Sequence, residues 1–162
     1  MRQLWAPWRI AYVSGDDARE QGCFLCRAAA GEGSDARLVV DRDDLTFTIL
    51  NRFPYSSGHV MAVPASHVAD IIDLNTDEGA ALFSATQRAL RALRVAMRPD
   101  GFNVGVNLGT VAGASTDHLH VHVVPRWGGD TNFMPVVADV KVLPEDLDST
   151  AARLREAYAR LV

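Results

Sequence analysis

Apolar positions recur along this chain with two different periods. Between residues 76 and 97, Leu82, Thr86, Leu90, Leu93 and Met97 fall at helical spacing. Asn75 with Glu78 three residues later resembles a capping box, and Pro99-Asp100-Gly101 supplies a stop. A long helix over Thr76–Met97 is predicted. Leu147, Ala151, Leu154, Tyr158 and Leu161 form a second stripe, predicting a C-terminal helix packed on the sheet or on a partner subunit. Shorter segments predict strands. These are 38–40, ended by Asp41; 46–50; 59–63, closed by Pro64; 102–107, where Phe102, Val104 and Val106 alternate with Asn103, Gly105 and Asn107; and 118–124. Residues 51–58 are a turn-rich connection, and Ser66 as N-cap predicts a short helix through Leu74. Residues 1–36 read as irregular, and 109–117 as a loop of small residues. No repeat or linker divides the chain, so one domain over 1–162 is expected, with an irregular N-terminal segment. Short strands mixed with one long helix predict an α+β fold on an antiparallel sheet.

Composition narrows the function classes. The chain has 162 residues, enough to bury roughly 70% of its unfolded surface as one domain. Net charge is −4 with no basic block, which argues against duplex nucleic acid as the main partner. No apolar run reaches the roughly 20 residues of a spanning helix, and no apolar signal region follows Met1-Arg2-Gln3-Leu4-Trp5. A cytoplasmic protein with reduced thiols is expected. Lys141 is the only lysine, so a P-loop lysine is absent and Schiff-base chemistry would rest on that residue alone. Histidine chemistry becomes the default.

Three of the five histidines lie in His118-Leu119-His120-Val121-His122-Val123-Val124. In a strand this alternation puts the three imidazoles on one face and Leu119, Val121 and Val123 on the other. Such a row suits a metal or a phosphate; the bland alternative is a solvated face. The preceding loop, 109–117, can converge backbone N–H groups on an anion, with Ser115 and Thr116 adding hydroxyl donors. Its alternative is a merely flexible hairpin loop. A neutral histidine can attack phosphorus if its other nitrogen is held by a carbonyl, while a second imidazole stabilises the developing charge. Cys23 and Cys26 can grip one zinc ion, with His67 and His118 as candidates for the remaining two positions. A redox pair and an inert buried pair stay open. His59, after Gly58, is either structural or a partner that orients the row.

The run 118–124 resembles the signature of the histidine triad superfamily. Residues 51–64, with Asn51, Pro54, Gly58-His59 and Val63-Pro64, resemble its nucleoside-side segment. The resemblance extends from Trp5 to about Leu143. It implies a five-stranded antiparallel sheet with one long helix and a C-terminal helix, usually dimerised into a continuous sheet. It implies that His120 attacks an α-phosphorus to form a nucleotidyl-histidine, that His122 contacts the α-phosphate, and that Asn51 lies near the ribose. Asn107, Gly113, Ser115 and Thr116 would lie near the phosphates, with Ser115 and Thr116 serving catalysis. In cysteine-containing branches, His118 would hold a structural zinc with Cys23, Cys26 and His67.

Residues 4–9, 102–109 and 125–130 resemble one branch, the bacterial diadenosine tetraphosphate phosphorylases. That branch implies inorganic phosphate as acceptor, with ADP and ATP as products. Trp127 would sit near the substrate, stacking on adenine, or else fill a dimer groove. One departure stands out. Many triad hydrolases carry glutamine four residues before the first histidine, and here that position is Ala114. The loss fits a phosphate acceptor better than water, and equally fits weak activity. A hydrolase of dinucleoside polyphosphates or nucleoside phosphoramidates, a nucleotide-binding protein with little turnover, and a zinc-stabilised interaction module are the competing readings.

Overall fold

The computed structural model describes residues 22–130, 143 and 145–161. The tryptophan-bearing segment 4–9 and Lys141 lie outside the described residues. In chain order the elements are helix α1 (Phe24–Ala30), strands β1 (Val39–Arg42), β2 (Thr46–Leu50) and β3 (Val60–Pro64), helix α2 (Thr76–Met97), strands β4 (Gly101–Val106) and β5 (Val121–Arg126), and helix α3 (Leu147–Ala159). The strands form one five-stranded sheet in the order β1-β2-β3-β5-β4, with every pairing antiparallel. The expected α+β architecture is present. No helix among the described residues is long and apolar enough to cross a membrane.

Helix α2 starts and ends where its pattern predicts. The Asn75 side chain accepts from the Glu78 N–H, and Glu78 accepts from the Asn75 N–H. Ala89, Ala92 and Leu93 pack with Phe47, Ile49 and Val60 of the sheet. The α3 stripe joins the same core through Ala151, Leu154, Ala157 and Tyr158, so it packs within the chain. A smaller cluster joins Ala62 of β3 to Leu82 and Ala85 of α2 and to Leu119. That contact fixes the faces: Leu119 points toward α2, and its histidine neighbours point away.

Three expectations need correction. The histidine run is not a strand throughout, because β5 begins only at Val121. The β3–β5 register ends at Ala62↔Val121. Two residues on, Pro64 has no N–H for a ladder, and Leu119 donates its own N–H to the Val68 carbonyl at 2.7 Å. That bond also explains the absent helix at 66–74. The Val68 carbonyl is committed to Leu119, and only a single 3₁₀ turn, Ile71–Asp73, forms, capped by Asp70. Finally, residues 22–36 are not irregular: Phe24–Ala30 is helical, closed by Gly31 at φ 81°.

Candidate functional site

The site is built where 118–122 runs into β5 beside β3, with the His122 ring against His59 at the end of the turn 51–59. Its three histidines face different partners. His118 is 1% exposed and turns toward α1. Its Nε2–H donates to the Pro64 carbonyl at 2.9 Å, which leaves the Nδ1 lone pair facing Cys23 Sγ and Cys26 Sγ, both at 3.4 Å. His120, 4% exposed, donates Nδ1–H to the His118 carbonyl at 2.8 Å. In the neutral ring the free lone pair is therefore on Nε2.

His122 is ordered by a relay that starts in the backbone. The Tyr55 N–H donates to His59 Nδ1 at 3.0 Å, so the proton of neutral His59 sits on Nε2. That N–H donates to His122 Nδ1, also at 3.0 Å, which leaves the His122 proton on its Nε2. Burial, reinforced by repulsion from His120, lowers the His122 pKa to about 4. The ring thus stays neutral and presents an N–H donor. His59 itself is fully buried, so it reaches a ligand only through His122. Its position depends on Gly58, where φ is 77° and a Cβ would lie 2.4 Å from Met97 Sδ.

His120 and His122 line a cavity of about 560 Å³. Asn51, Gly113 and Ser115 line it too, so five of the sequence-predicted residues converge. Thr116 lines a neighbouring cavity instead. Asn107 stands behind the loop, donating to the Gly113 carbonyl at 3.4 Å. Trp127 lies past the end of β5, where its N–H donates to Asp130, and does not line the His120 cavity. The cavity wall also includes residues that the sequence reading missed. Phe24 and Arg27 come from α1, Asp35 from the 3₁₀ helix Ser34–Leu38, and Arg52, Phe53 and Tyr55 from the connection 51–59. The Ala28-Ala29-Ala30 run before Gly31 was the available signal for α1. Arg52, Phe53 and Tyr55 belong to the segment 51–64 that resembles a nucleoside-side segment, whereas nothing in the sequence places Asp35 beside the histidines. Arg52 lies over the Phe53 ring, 5.8 Å from its centroid. Asn51 Oδ1 accepts from the Phe53 N–H and holds the turn.

The four thiol and imidazole candidates also converge. Cys23 is the N-cap of α1 and Cys26 lies on its first turn, so both sulfurs emerge on one side. Cys26 Sγ is 3.3 Å from His67 Nδ1. One ligand atom from each of Cys23, Cys26, His67 and His118 lies within 4.8 Å of the others. A tetrahedral zinc with S and N ligands has N···S edges of about 3.5 Å. The observed separations fit that ion. Burial and the adjacent Cys23 push the Cys26 thiol pKa up, which a bound cation would reverse. Burial also holds His118 below the usual imidazole range.

The HIT domain family model matches residues 33–129. An AP-4-A phosphorylase from Mycobacterium tuberculosis is 41% identical over 167 residues, covering 99% of this chain and 86% of the relative. Among solved structures, a Zn-bound histidine triad family protein from Mycobacterium smegmatis superposes with a TM-score of 0.72 at 29% identity, covering 86% of this chain and 95% of that one. A hypothetical histidine triad nucleotide-binding protein from Sulfolobus tokodaii gives 0.73 at 26% identity, covering 86% and 93%. The three-histidine run, the sheet order and these matches agree, and the chain belongs to the HIT domain family.

Proposed function

We propose that this protein is an enzyme that transfers a nucleotidyl group through His120, most directly in the phosphorolysis of diadenosine tetraphosphate to ADP and ATP. The observation that carries this reading is the tautomer order of the site. His120 keeps an Nε2 lone pair because Nδ1 is held by the His118 carbonyl, and His122 keeps an Nε2–H donor because His59 fills its Nδ1. One ring is thereby set as nucleophile and the next as donor to the phosphoryl oxygens. Nε2 of His120 attacks the α-phosphorus, and the bond to the departing nucleoside triphosphate breaks. An oxygen of inorganic phosphate then attacks the same phosphorus, and the P–N bond breaks to return the lone pair to His120. Asn51 takes the ribose side, Gly113 and Ser115 the phosphate side, with Asn107 bracing the loop. The 41% identity to an AP-4-A phosphorylase supports phosphate as acceptor, as does the absence of a polar side chain at Ala114.

Cys23, Cys26, His67 and His118 would hold a structural zinc, consistent with the Zn-bound neighbour. When bound, the ion ties α1 to the histidine run. Thiolate ligands suit a reducing, cytoplasmic compartment, which cell fractionation would check. A homodimer through β4 completes the reading. Among the described residues β4 has β5 on one side only, and Val104 on it is 49% exposed. Trp127, close to that edge of the sheet, would then fill the groove between subunits. Sedimentation should give about twice 17.6 kDa, and Val104→Arg should return it to one chain. A monomeric wild type would overturn the dimer.

Product analysis of diadenosine tetraphosphate with and without inorganic phosphate tests the reaction. ADP plus ATP, formed only with phosphate, is expected. AMP plus ATP without phosphate would make the protein a hydrolase. No turnover in either case would leave nucleotide binding alone.

A further inference from the structure

Tyr55 touches the histidine relay twice, once through its backbone and once through its ring. Its N–H donates to His59 Nδ1 at 3.0 Å. Its ring packs on the same imidazole, with centroids 4.7 Å and planes 35° apart, and lies 5.9 Å from the His122 ring. The His59 and His122 rings are 5.1 Å apart, so the three rings form a triangle with the His59–His122 hydrogen bond along one side. Exposure differs sharply within it: Tyr55 is 56% exposed, while His59 is fully buried. Tyr55 also lines the His120 cavity, so its ring stands between the relay and solvent. In the sheet His122 is paired with Met61 of β3 and Gly105 of β4, which bring no charge. The other titratable or charged groups around it are His120, with ring centroids 4.7 Å apart, and Arg27, Asp35 and Arg52 of the cavity wall.

We propose that Tyr55 is a positioning residue, whose ring seals the His59–His122 hydrogen bond from water and so keeps the His122 proton on the nitrogen that faces the phosphoryl group. The proposal rests on the nucleotidyl-transfer reading above. The relay tolerates one proton arrangement. His59 Nδ1 accepts from the Tyr55 N–H, so the His59 proton is on Nε2 and His122 Nδ1 must accept it. A second proton on His122 would enter at Nδ1 and set two N–H groups against each other. Water beside the pair favours that charged form by solvating it. An aromatic face over the pair withholds the solvation, and the phenolic hydroxyl is not needed for this. Burial is the main cause that holds His122 near 4, and the Tyr55 ring is the part of that burial that one substitution removes. Replacing the side chain leaves the Tyr55 N–H in place, so the cover and the hydrogen bond are separable.

The test is a ring-nitrogen NMR titration of the zinc-loaded full-length protein, wild type against Tyr55→Ala. The His122 midpoint should rise by about two units in the variant. Tyr55→Phe, which keeps the ring, should return it to the wild-type position. A Tyr55→Ala midpoint within about half a unit of wild type would overturn the proposal, as would a Tyr55→Phe midpoint that moves with it. The kinetic readout is the ratio of Tyr55→Ala to wild-type kcat, in which ionisations common to both proteins cancel. It should fall about tenfold from about pH 7 to about pH 5, and a ratio constant with pH would reduce Tyr55 to a structural role. Should Tyr55→Ala not fold, the wild type carries the test. A sealed His59 Nε2–H should exchange slowly with water, and exchange as fast as that of an exposed imidazole would overturn the seal. The titration needs no substrate. A wild type that forms no ADP from phosphate would therefore sink the phosphorolysis reading and leave the result on Tyr55 standing.

Discussion

His120→Asn should lower the rate of nucleotidyl transfer by on the order of 10⁴-fold or more. Asparagine preserves a donor toward the His118 carbonyl, but it offers no nitrogen lone pair able to bond phosphorus. Nucleotide affinity should change far less, since the rest of the His120 cavity stays in place. A variant retaining a tenth of wild-type turnover would remove His120 as nucleophile. His59→Leu makes the informative comparison. It cannot touch the substrate, yet it removes the donor that places the His122 proton on Nε2. Losing one preorganised donor at a phosphoryl oxygen costs roughly 10²-fold in kcat. The loss should fall on kcat rather than KM, and His59→Gln, which can still donate to Nδ1, should restore part of it.

The same relay has a pH signature. The folded His122 pKa lies near 4, below the unfolded value near 6.5. Between those values the unfolded chain binds the proton and the folded chain does not. Stability contributed here therefore rises with pH across that window and is lost as pH falls from about 6.5 toward about 4. The lowered pKa of Asp43, caused mainly by its bonds to Arg88 and Thr46 against an opposing burial effect, acts in the same sense at lower pH. A thermal midpoint that falls on acidification, less so in a His122→Leu variant, is the expected result.

Local chemistry made much of this molecule legible. α2 is readable because its caps and its period agree, and nothing distant contradicts them. The facing of the histidines is readable because period two survives even outside a ladder: Leu119 packs against α2 while His118 and His120 point away. The ladder itself was not readable. Whether residues 118–120 pair with β3 depends on where the chain leaves Pro64, and on Val68 claiming the Leu119 N–H. That is a tertiary contact between segments some fifty residues apart. The grouping of Cys23, Cys26, His67 and His118 was legible from residue types, since a zinc ion held by two cysteines three apart would need two further ligands. The role of His59 needed distances. Only the Tyr55 N–H on Nδ1 decides which nitrogen faces His122. Tyr55 was legible only as part of the segment 51–64, and Arg27 and Asp35 had no signal of their own as cavity residues, because side chains from separate elements reach a site through the fold and not through a pattern.

Removing one thiol of the four-residue cluster should have the largest effect on stability. Cys26 lies 3.3 Å from His67 and 3.4 Å from His118, so it bridges the α1 turn to both imidazoles. Cys26→Ser should reduce zinc from about one ion per chain to near none. It should also lower the thermal midpoint by roughly 10 °C, which corresponds to about 3 kcal/mol at this size. Chelation should lower the wild type similarly and leave the variant unmoved. Zinc bound as strongly by the variant as by the wild type would eliminate Cys26 as a ligand. The consequence reaches the chemistry through one residue. His118 offers Nδ1 to the cluster, and its carbonyl holds His120 Nδ1–H at 2.8 Å. Loosening the ring therefore loosens the carbonyl that sets the nucleophile's tautomer. Loss of zinc should lower kcat even where the chain remains folded.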